Sequence, residues 1–400
     1  MMTLIQDYGA DLLRAIGLHT IYVLISVVIG CAAGLVFGIL LLVLGGYAYM
    51  QSPPFGARSQ GERLERMQRS PQYRDGVFHN LEPVPRDGAQ GGMALALIKY
   101  ALRRKVNPAP PAPLPTCKTD LRALDRNTDV VVWLGHSSYF VQLGGHRLLI
   151  DPVFSENAAP LPRGNPAFAG SNIYSAADMP DIDALLISHD HWDHLDYPTA
   201  TALRGKVRRV VCGPGVGASF VRWGYAEAAV TELDWNESVA LGGGLNVHAQ
   251  TARHYSSRGF ARDSTLWLGF ALTTLQRRLF FSGDSGYGRH FEAIGKAFGG
   301  FDLVMLDSGQ YDADWPYIHM TPEEAARAAR DLQAETLLPA HVGKFSIAFH
   351  SWDDPFRRSV AAAEGQPYSL LTPKVGEVVT LPAPGTPWPV FPRWWEELPR

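Results

Sequence analysis

The sequence predicts an α/β domain preceded by a single membrane-spanning helix. Residues 20–50 contain no charged side chain, and this run is well beyond the ~20 residues that a helix needs to span a bilayer. Later in the chain, short apolar runs alternate with turns and helical stretches, as in an α/β sheet. His and Asp side chains follow several of these runs, and the ends of strands are where α/β enzymes carry their chemistry.

The composition limits the classes of partner and of site. The 400 residues are 46% hydrophobic, so the chain can bury a substantial core and still supply a membrane helix. A net charge of -3 argues against a nucleic-acid partner. Cys31, Cys117 and Cys212 are far apart and form no CxxC pair, so any metal must be held by His and carboxylate side chains.

The N-terminal segment, residues 1–50, is predicted to be an anchor rather than a cleaved signal peptide. Asp7 and Asp11 replace the positive n-region of a signal peptide, and the apolar run is too long for one. The positive-inside rule predicts a single-pass protein with its catalytic domain on the cytoplasmic side of the inner membrane, because only Arg14 precedes the run. Four arginines follow it closely: Arg58, Arg63, Arg66 and Arg69.

The anchor also carries glycines at a spacing of four residues, Gly30, Gly34 and Gly38. Glycines on one helix face let two membrane helices approach closely, which permits a homodimer. The alternative is that glycine is simply common in membrane helices.

Beyond the anchor, composition predicts three further segments. Residues 51–115 are polar and rich in proline, which is typical of an extended linker. Residues 116–385 form the predicted catalytic domain. Residues 386–400 form a Trp-rich tail that either lies at the membrane interface, where Trp is enriched, or packs on the domain. The predicted strands are Val130–Trp133, 147–150, Ala184–Ile187, 207–212, Arg278–Phe281, 303–306 and 337–338.

The strongest functional signal is the loop 188–195, Ser-His-Asp-His-Trp-Asp-His-Leu, directly after the strand Ala184–Ile187. Catalytic zinc takes imidazole nitrogens and carboxylate oxygens, and two zinc ions ~3.5–4 Å apart need about six or seven such ligands. The loop supplies at most four, so the rest must come from other strand ends. The candidates in the loop are His189, His191, Asp193 and His194, and the candidates elsewhere are His254, Asp284 and His341.

This ordered series of motifs resembles that of metallo-β-lactamase-fold hydrolases. Five further motifs are similar to the N-acyl-phosphatidylethanolamine phospholipase D-like branch, over roughly residues 129–353: Trp-Leu-Gly-His-Ser-Ser at 133–138, Leu-Ile-Asp-Pro-Val-Phe at 149–154, the stretch 279–287, the stretch 291–302, and His-Met-Thr-Pro-Glu-Glu at 319–324. The resemblance implies a four-layer αββα sandwich.

The resemblance also implies roles for the candidate residues. His189, His191 and His254 would bind one metal; Asp193, His194 and His341 would bind the other, and Asp284 would bridge the two. Two zinc ions are expected, with Mn, Fe or Co as alternatives. Asp193 and Asp284 are therefore predicted to be catalytic, together with His319, because a His at the matching place in the branch lies near the substrate phosphate. The alternative for His319 is a loop residue beside the helix that Thr321 and Pro322 begin.

Five other polar residues allow two interpretations each. His136 matches a family motif, but a structural role is equally compatible, so it is left outside the ligand set. Asp151 is expected to be structural, and Asp190 to orient a metal ligand. Arg258 and Arg262, shortly after His254, could grip a phosphate through paired N–H donors or lie in a solvated loop.

The sequence thus predicts a membrane-anchored dinuclear hydrolase that cleaves a phosphodiester by a metal-bound hydroxide, with the membrane and a phospholipid or small-molecule substrate as partners. One alternative is a lactonase or other acyl-bond hydrolase. It is favoured by Asp-Ser-Gly-Gln-Tyr at 307–311, where the branch has an apolar segment. Another is a non-catalytic membrane-tethered binding module, which would be expected to lack metal ligands.

Overall fold

The computed structural model describes residues 2–84 and 102–399, with side chains described outside residues 2–13. The chain divides into two compact units, Met1–Ser52 and Pro53–Arg400. Each is described separately below.

The first unit is one long helix, α1 (Met2–Met50). Its portion Arg14–Met50, 37 residues long, is apolar enough to cross a membrane, and none of the side chains in its most apolar window is buried. The predicted N-terminal helix is therefore confirmed as a candidate membrane span. Gly30, Gly34 and Gly38 have no other group within 4 Å of where a Cβ would stand.

The second unit contains six helices and sixteen strands among the described residues. The helices are α2 (Gly61–Arg69), α3 (Tyr197–Leu203), α4 (Gly217–Arg222), α5 (His290–Phe298), α6 (Pro322–Asp331) and α7 (Asp354–Ala363). The strands are β1 (Tyr73–Arg74), β2 (Val77–Phe78), β3 (Val130–Trp133), β4 (Tyr139–Leu143), β5 (His146–Ile150), β6 (Ala184–Ile187), β7 (Val210–Cys212), β8 (Val230–Glu232), β9 (Ser238–Gly242), β10 (Leu245–Gln250), β11 (Gly269–Thr273), β12 (Arg278–Phe281), β13 (Leu303–Asp307), β14 (Thr336–Ala340), β15 (Ser369–Leu370) and β16 (Val378–Thr380).

Two seven-stranded sheets organise this unit. The first has the order β16-β3-β4-β5-β6-β7-β8 and the second the order β15-β14-β13-β12-β11-β10-β9. Strands β16, β3, β4 and β5 pair antiparallel, and β5, β6, β7 and β8 pair parallel. The second sheet repeats this arrangement: β9 to β12 are antiparallel and β12 to β15 are parallel.

Alternating strand residues explain why the sheets stack and why helices cover them. Val131 and Leu148 of the first sheet share one core with Leu279 and Met305 of the second. The neighbouring residues on each strand point to the opposite face, where α3 and α4 cover the first sheet and α5 and α6 cover the second. The layers are therefore helix, sheet, sheet and helix, which confirms the predicted αββα sandwich.

The predicted strands are all present, with shifts of up to three residues at their ends. Sequence patterning did not identify the other nine strands, β1, β2, β4, β8, β9, β10, β11, β15 and β16. Strand β10 shows why, since its apolar Leu245, Val247 and Ala249 face the core while polar residues alternate with them. The predicted helix start is confirmed: Thr321 accepts from the Glu324 amide and Pro322 occupies the first turn of α6.

The predicted linker, 51–115, is wrong for its described residues. Residues 53–84 and 102–115 belong to the second unit. Phe78 is 1% exposed and joins the central core, and the Arg63 guanidinium lies 2.8 Å from the buried Glu232 carboxylate. The Trp223 indole donates to the Pro53 carbonyl at 2.8 Å. Proline and arginine enrichment is typical of a linker, but here these few anchoring contacts fold the segment onto the domain.

The C-terminal segment packs on the domain rather than extending from it. Trp394 and Trp395 are buried, and their rings lie 5.0 and 5.1 Å from the ring of Phe356 on α7. The Trp394 indole donates to the Thr372 carbonyl at 3.2 Å. Of the two predicted alternatives for this tail, the structure shows the one in which the tail packs on the domain. Residue 386 therefore lies within the second unit and is not a domain boundary.

Replacing Trp394 by alanine should therefore destabilise the domain. Loss of a fully buried indole costs about 3–5 kcal/mol in free energy of unfolding, and chemical denaturation of the full-length protein in detergent measures it. Val390→Ala is the matched control, because Val390 is 94% exposed and its truncation should change stability by less than about 0.5 kcal/mol. Equal effects of the two substitutions would contradict this packing.

Candidate metal centre

The seven predicted donors all meet at one edge of the two sheets. The loop that holds four of them follows β6. His254 lies beyond β10, Asp284 beyond β12 and His341 directly after β14. These strands end at the same edge, and side chains at their ends therefore converge. All the donors are buried except His191, which is partly exposed: His189, His191, Asp193, His194, His254, Asp284 and His341.

Three imidazoles and one carboxylate form a first cluster. The His191 Nδ1 atom lies 2.9 Å from His189 Nε2 and 3.2 Å from His254 Nε2. The Asp284 Oδ2 atom lies 3.8 Å from His189 Nε2 and 3.7 Å from His254 Nε2. Three ring nitrogens therefore point at each other with a carboxylate oxygen beside them.

A second cluster shares the same Asp284 oxygen. This Oδ2 atom lies 3.1 Å from His194 Nε2 and 3.3 Å from His341 Nε2. The Asp193 Oδ2 atom lies 3.5 Å from His194 Nε2 and 3.1 Å from His341 Nε2. Asp284 is thus shared by two groups, each of which has four donor atoms.

These separations fit metal ions. A tetrahedral ion with ligands at ~2.0–2.1 Å separates its ligand atoms by about 3.3 Å, and the edges measured in the second cluster run from 3.1 to 3.5 Å. The Oδ1 atom of Asp284 is buried without a hydrogen-bond partner among the described residues. Buried polar atoms of this kind call for a partner, and a cation supplies one.

Asp151, at the end of β5, fixes which ring nitrogens can bind a metal. His194 Nδ1 donates to Asp151 Oδ2 at 2.8 Å, so a neutral His194 turns the lone pair of its Nε2 atom toward the cluster. The Ser188 hydroxyl also donates to Asp151 and lies 3.0 Å from His189 Nδ1. Because the hydroxyl hydrogen is used, Ser188 accepts from His189, which likewise frees Nε2 of His189.

His254 is oriented by the backbone instead. Its Nδ1 atom lies 2.9 Å from the Ile318 carbonyl oxygen, which can only accept, so Nε2 of a neutral His254 carries a lone pair. Outer hydrogen bonds of this type are the usual means of setting the tautomer of a metal-binding histidine.

The two clusters differ in charge. Burial lowers the pKa of His189 and of His254 well below its usual value, so both imidazoles are neutral. Burial also lowers the pKa of His341, but the Asp284 and Asp193 carboxylates outweigh it and raise the pKa to about 10. Burial raises the pKa of Asp284, but His194 and His341 outweigh it and hold this pKa well below its usual range. In the second cluster the carboxylates thus favour the protonated form of the rings that they face, whereas the rings of the first cluster are kept neutral by burial.

His136 belongs to the second cluster, although it was left outside the predicted ligand set. Its Nε2 atom lies 2.9 Å from Asp193 Oδ2, and its ring lies 4.3 Å from the ring of His341. Its backbone is left-handed, with φ of 56°, and its backbone amide donates a hydrogen bond to the Val342 carbonyl. These two features set the position of the ring. Burial lowers the pKa of His136 to about 3, so a neutral ring donates to Asp193 and holds that carboxylate.

His319 lies beside the clusters, on the segment before α6. Its Nδ1 atom lies 2.8 Å from Asp307 Oδ2, and its ring stacks on that of His341 with centroids 4.8 Å apart. Because Asp307 holds Nδ1–H, the Nε2 atom of a neutral His319 is left to accept a proton from another group or, once protonated, to donate one.

The polar segment 307–311, which favoured the lactonase alternative, binds other parts of the protein. Asp307 is fully buried at the end of β13 and binds His319 and the Ser285 amide. The Gln310 amide group donates to the His341 and Phe345 carbonyls. Both side chains are thus occupied in supporting the histidines, and neither is presented to a substrate.

Asp190 and Arg258 also differ from expectation. The Asp190 carboxylate accepts from the Ser257 amide at 2.9 Å, so it holds the segment that follows His254. Arg258 neither reaches a phosphate nor lies in solvent: its guanidinium is buried 4.1 Å over the Trp192 ring. It donates to the carbonyls of Asp190 and Leu195 at 2.9 and 2.7 Å. Arg258 therefore links, through hydrogen bonds, the two ends of the loop that carries four of the donors.

Sequence reasoning considered two residues of the site without finding their roles. His136, which follows β3, was left outside the ligand set, and Asp307, which ends β13, was taken as part of a polar segment that favours a lactonase. A polar side chain at a strand end was the available signal for both, and it does not reveal the partner that the side chain binds.

The chain matches a known family model and several known proteins. Residues 146–342 match the model of the beta-lactamase superfamily domain. An uncharacterized protein of Mycobacterium tuberculosis is 37% identical over 332 residues, which cover 82% of this chain and 88% of that protein. The N-acyl-phosphatidylethanolamine-hydrolyzing phospholipase D 1 of Caenorhabditis elegans is 31% identical over 238 residues, or 54% of this chain and 64% of that protein.

A solved structure supports the fold. The structure of an isothiocyanate hydrolase from Delia radicum gut bacteria superposes with a TM-score of 0.51 at 19% identity, and the match covers 62% of this chain and 97% of that one. At this identity the likeness concerns the fold alone.

Metal binding should release protons, because the second cluster is protonated without metal and its donors must be neutral to bind one. Burial opposes the protonated form, but the facing carboxylates raise the pKa of His194 well above its usual value and that of His341 to about 10. At pH 8, loading the metal-free protein should release about two protons from these rings. Calorimetry in buffers of different ionisation enthalpy measures the number.

The control is a histidine outside the clusters. His248, on β10, binds the Thr273 hydroxyl, so His248→Asn should leave the number unchanged, whereas His341→Asn should reduce it by about one. If the unmodified protein and both variants released the same number of protons, the assigned charge of the second cluster would be contradicted.

Proposed function

The chain belongs to the beta-lactamase superfamily and is a metal-dependent hydrolase of the metallo-β-lactamase fold, and from this premise we propose that it cleaves a phosphodiester in a membrane phospholipid. The proposed substrate class is that of N-acyl-phosphatidylethanolamine, the lipid in the name of the C. elegans relative. The observation that carries the hydrolytic chemistry is the pair of donor groups that share Asp284.

In this proposal His189, His191 and His254 hold one ion, Asp193, His194 and His341 hold the other, and Asp284 contributes to both. Zinc is the default choice for such a His and Asp set, with Mn, Fe and Co as alternatives. Two such ions, when bound, lower the pKa of water and polarise a phosphoryl oxygen, so the protein needs no nucleophile of its own.

The surrounding residues orient the metal ligands and supply a proton to the leaving group. Asp151 and the Ile318 carbonyl keep the ligand nitrogens free of protons, and His136 holds the Asp193 carboxylate. His319, fixed by Asp307, lies next to both clusters and is the group we assign to donate a proton from Nε2 to the leaving oxygen.

The N-terminal helix supports a lipid substrate, since α1 is a candidate membrane span and a protein anchored by such a helix works where phospholipids are concentrated. We place the catalytic unit on the cytoplasmic side because of the arginines that follow the helix. The glycine face of α1 favours a homodimer, and cross-linking of a single cysteine variant in that face tests it.

The lactonase alternative rested on the polar segment 307–311. Since Asp307 and Gln310 bind other parts of the protein, that segment no longer favours a polar carbonyl substrate, and a lactone serves as the comparison substrate. The alternative of a binding module without chemistry predicted missing ligands, whereas all seven donors are present and clustered.

Metal-loaded protein should release phosphatidic acid from N-acyl-phosphatidylethanolamine in mixed micelles, measured by mass spectrometry. Removal of metal with a chelator should abolish turnover and re-addition should restore it. Asp284→Asn should lose turnover, because one carboxylate oxygen serves both donor groups. An absence of turnover over a range of such lipids, with lactones hydrolysed, would overturn the phosphodiesterase proposal.

Replacing His319 by glutamine should lower kcat about 10²-fold with little change in KM, because general acid catalysis typically contributes 10²–10⁴-fold. Metal content, measured by elemental analysis, should stay as in the unmodified protein, because His319 is not among the seven proposed ligands. An unchanged kcat would show that His319 only packs beside α6.

A further inference from the structure

We infer that Arg262 is the specificity-determining cation at the entrance of the site and that it selects substrates with an anionic group beside the scissile bond. This inference rests on the proposed function for the nature of the bond that is cleaved. The anion recognition itself stands on the geometry around His191.

The entrance is located by exposure. Of the seven donors, His191 is the one that is partly exposed, and its neighbour Trp192 is also partly exposed. The first cluster is therefore open to solvent beside His191. Tyr255 stands at this place, with its ring 4.5 Å from the ring of His191 and 4.8 Å from that of His254.

Arg262 packs against Tyr255. Its guanidinium is stacked 4.0 Å above the Tyr255 ring, and that ring contacts His191 and His254 of the first cluster. The isolated bridge between Ser257 and Arg262 closes the turn that brings it there. The side chain is 58% exposed, and its Nε atom lies 3.7 Å from Asp263. Stacking holds the planar fork in place, and this arrangement suits recognition of a phosphate.

The other two arginines near His254 form hydrogen bonds with backbone carbonyls. Arg258 is buried and donates to three backbone carbonyls, of Pro54, Asp190 and Leu195. Arg253 donates to the carbonyls of Tyr287 and Pro83. Neither guanidinium is presented to a substrate, which leaves Arg262 as the arginine of this group that faces the solvent.

The expected substrate therefore carries negative charge near the bond that is cleaved. A phosphodiester satisfies this requirement, and a neutral lactone or carboxylic ester does not. An exposed cation contributes less than a buried one, so the expected effect is on binding of the anion and not on the rate of the chemical step.

The experiment compares Arg262→Gln with the matched control Arg330→Gln, which removes the same charge from the exposed side of α6. Binding of inorganic phosphate to the metal-loaded full-length protein is measured by calorimetry. Steady-state kinetics are measured with bis-p-nitrophenyl phosphate and with the neutral ester p-nitrophenyl butyrate.

Arg262→Gln should weaken phosphate binding and raise KM for the phosphodiester by about threefold to tenfold. The kcat, the neutral ester and the Arg330→Gln protein should be unaffected, and Arg262→Lys should recover part of the loss. An equal effect of both Gln variants, no effect of either, or no phosphate binding by the unmodified protein would overturn the inference. Phosphate binding that depends on Arg262 without turnover of any phosphodiester would overturn the proposed function and leave the inference standing.

Discussion

The buried carboxylate of Asp151 is the constraint on which the rest of the site depends. It accepts from the His194 ring and from the Ser188 hydroxyl, and Ser188 in turn accepts from His189. One side chain thus sets the tautomers of two histidines that face different clusters. Asp151 itself has a left-handed backbone, with φ of 40°, an uncommon conformation for a residue other than glycine that the surrounding strands impose.

The electrostatics of the metal-free site explain how so many ligands can be buried together. Isolated carboxylates are costly to bury, but Asp193 and Asp284 each face the rings of His194 and His341. The carboxylates and the ring nitrogens thus face each other at the place that a metal cation is proposed to take.

Much of the site could be predicted from the sequence, because its donors belong to chemically distinctive types at strand ends. The roles of Asp307 and Arg258 could not. They depend on which strand ends become neighbours and on which side of a loop is buried, and both are decided by tertiary packing. The segment that was predicted to be a linker misled for a similar reason. Buried Met67, Phe78 and Leu114 and an ion pair to Glu232 fix it, and local composition does not reveal these partners.

The two sheets have the same internal arrangement of antiparallel and parallel strands, and the donor set is divided between them. The loop after the first sheet's β6 brings His189, His191, Asp193 and His194, while His254, Asp284 and His341 follow strands of the second sheet. Each proposed ion would be bonded to both halves of the sandwich. In polymer terms it would act as a cross-link between two similar lobes, so that gain or loss of the ion changes the cohesion of the whole domain as well as its chemistry.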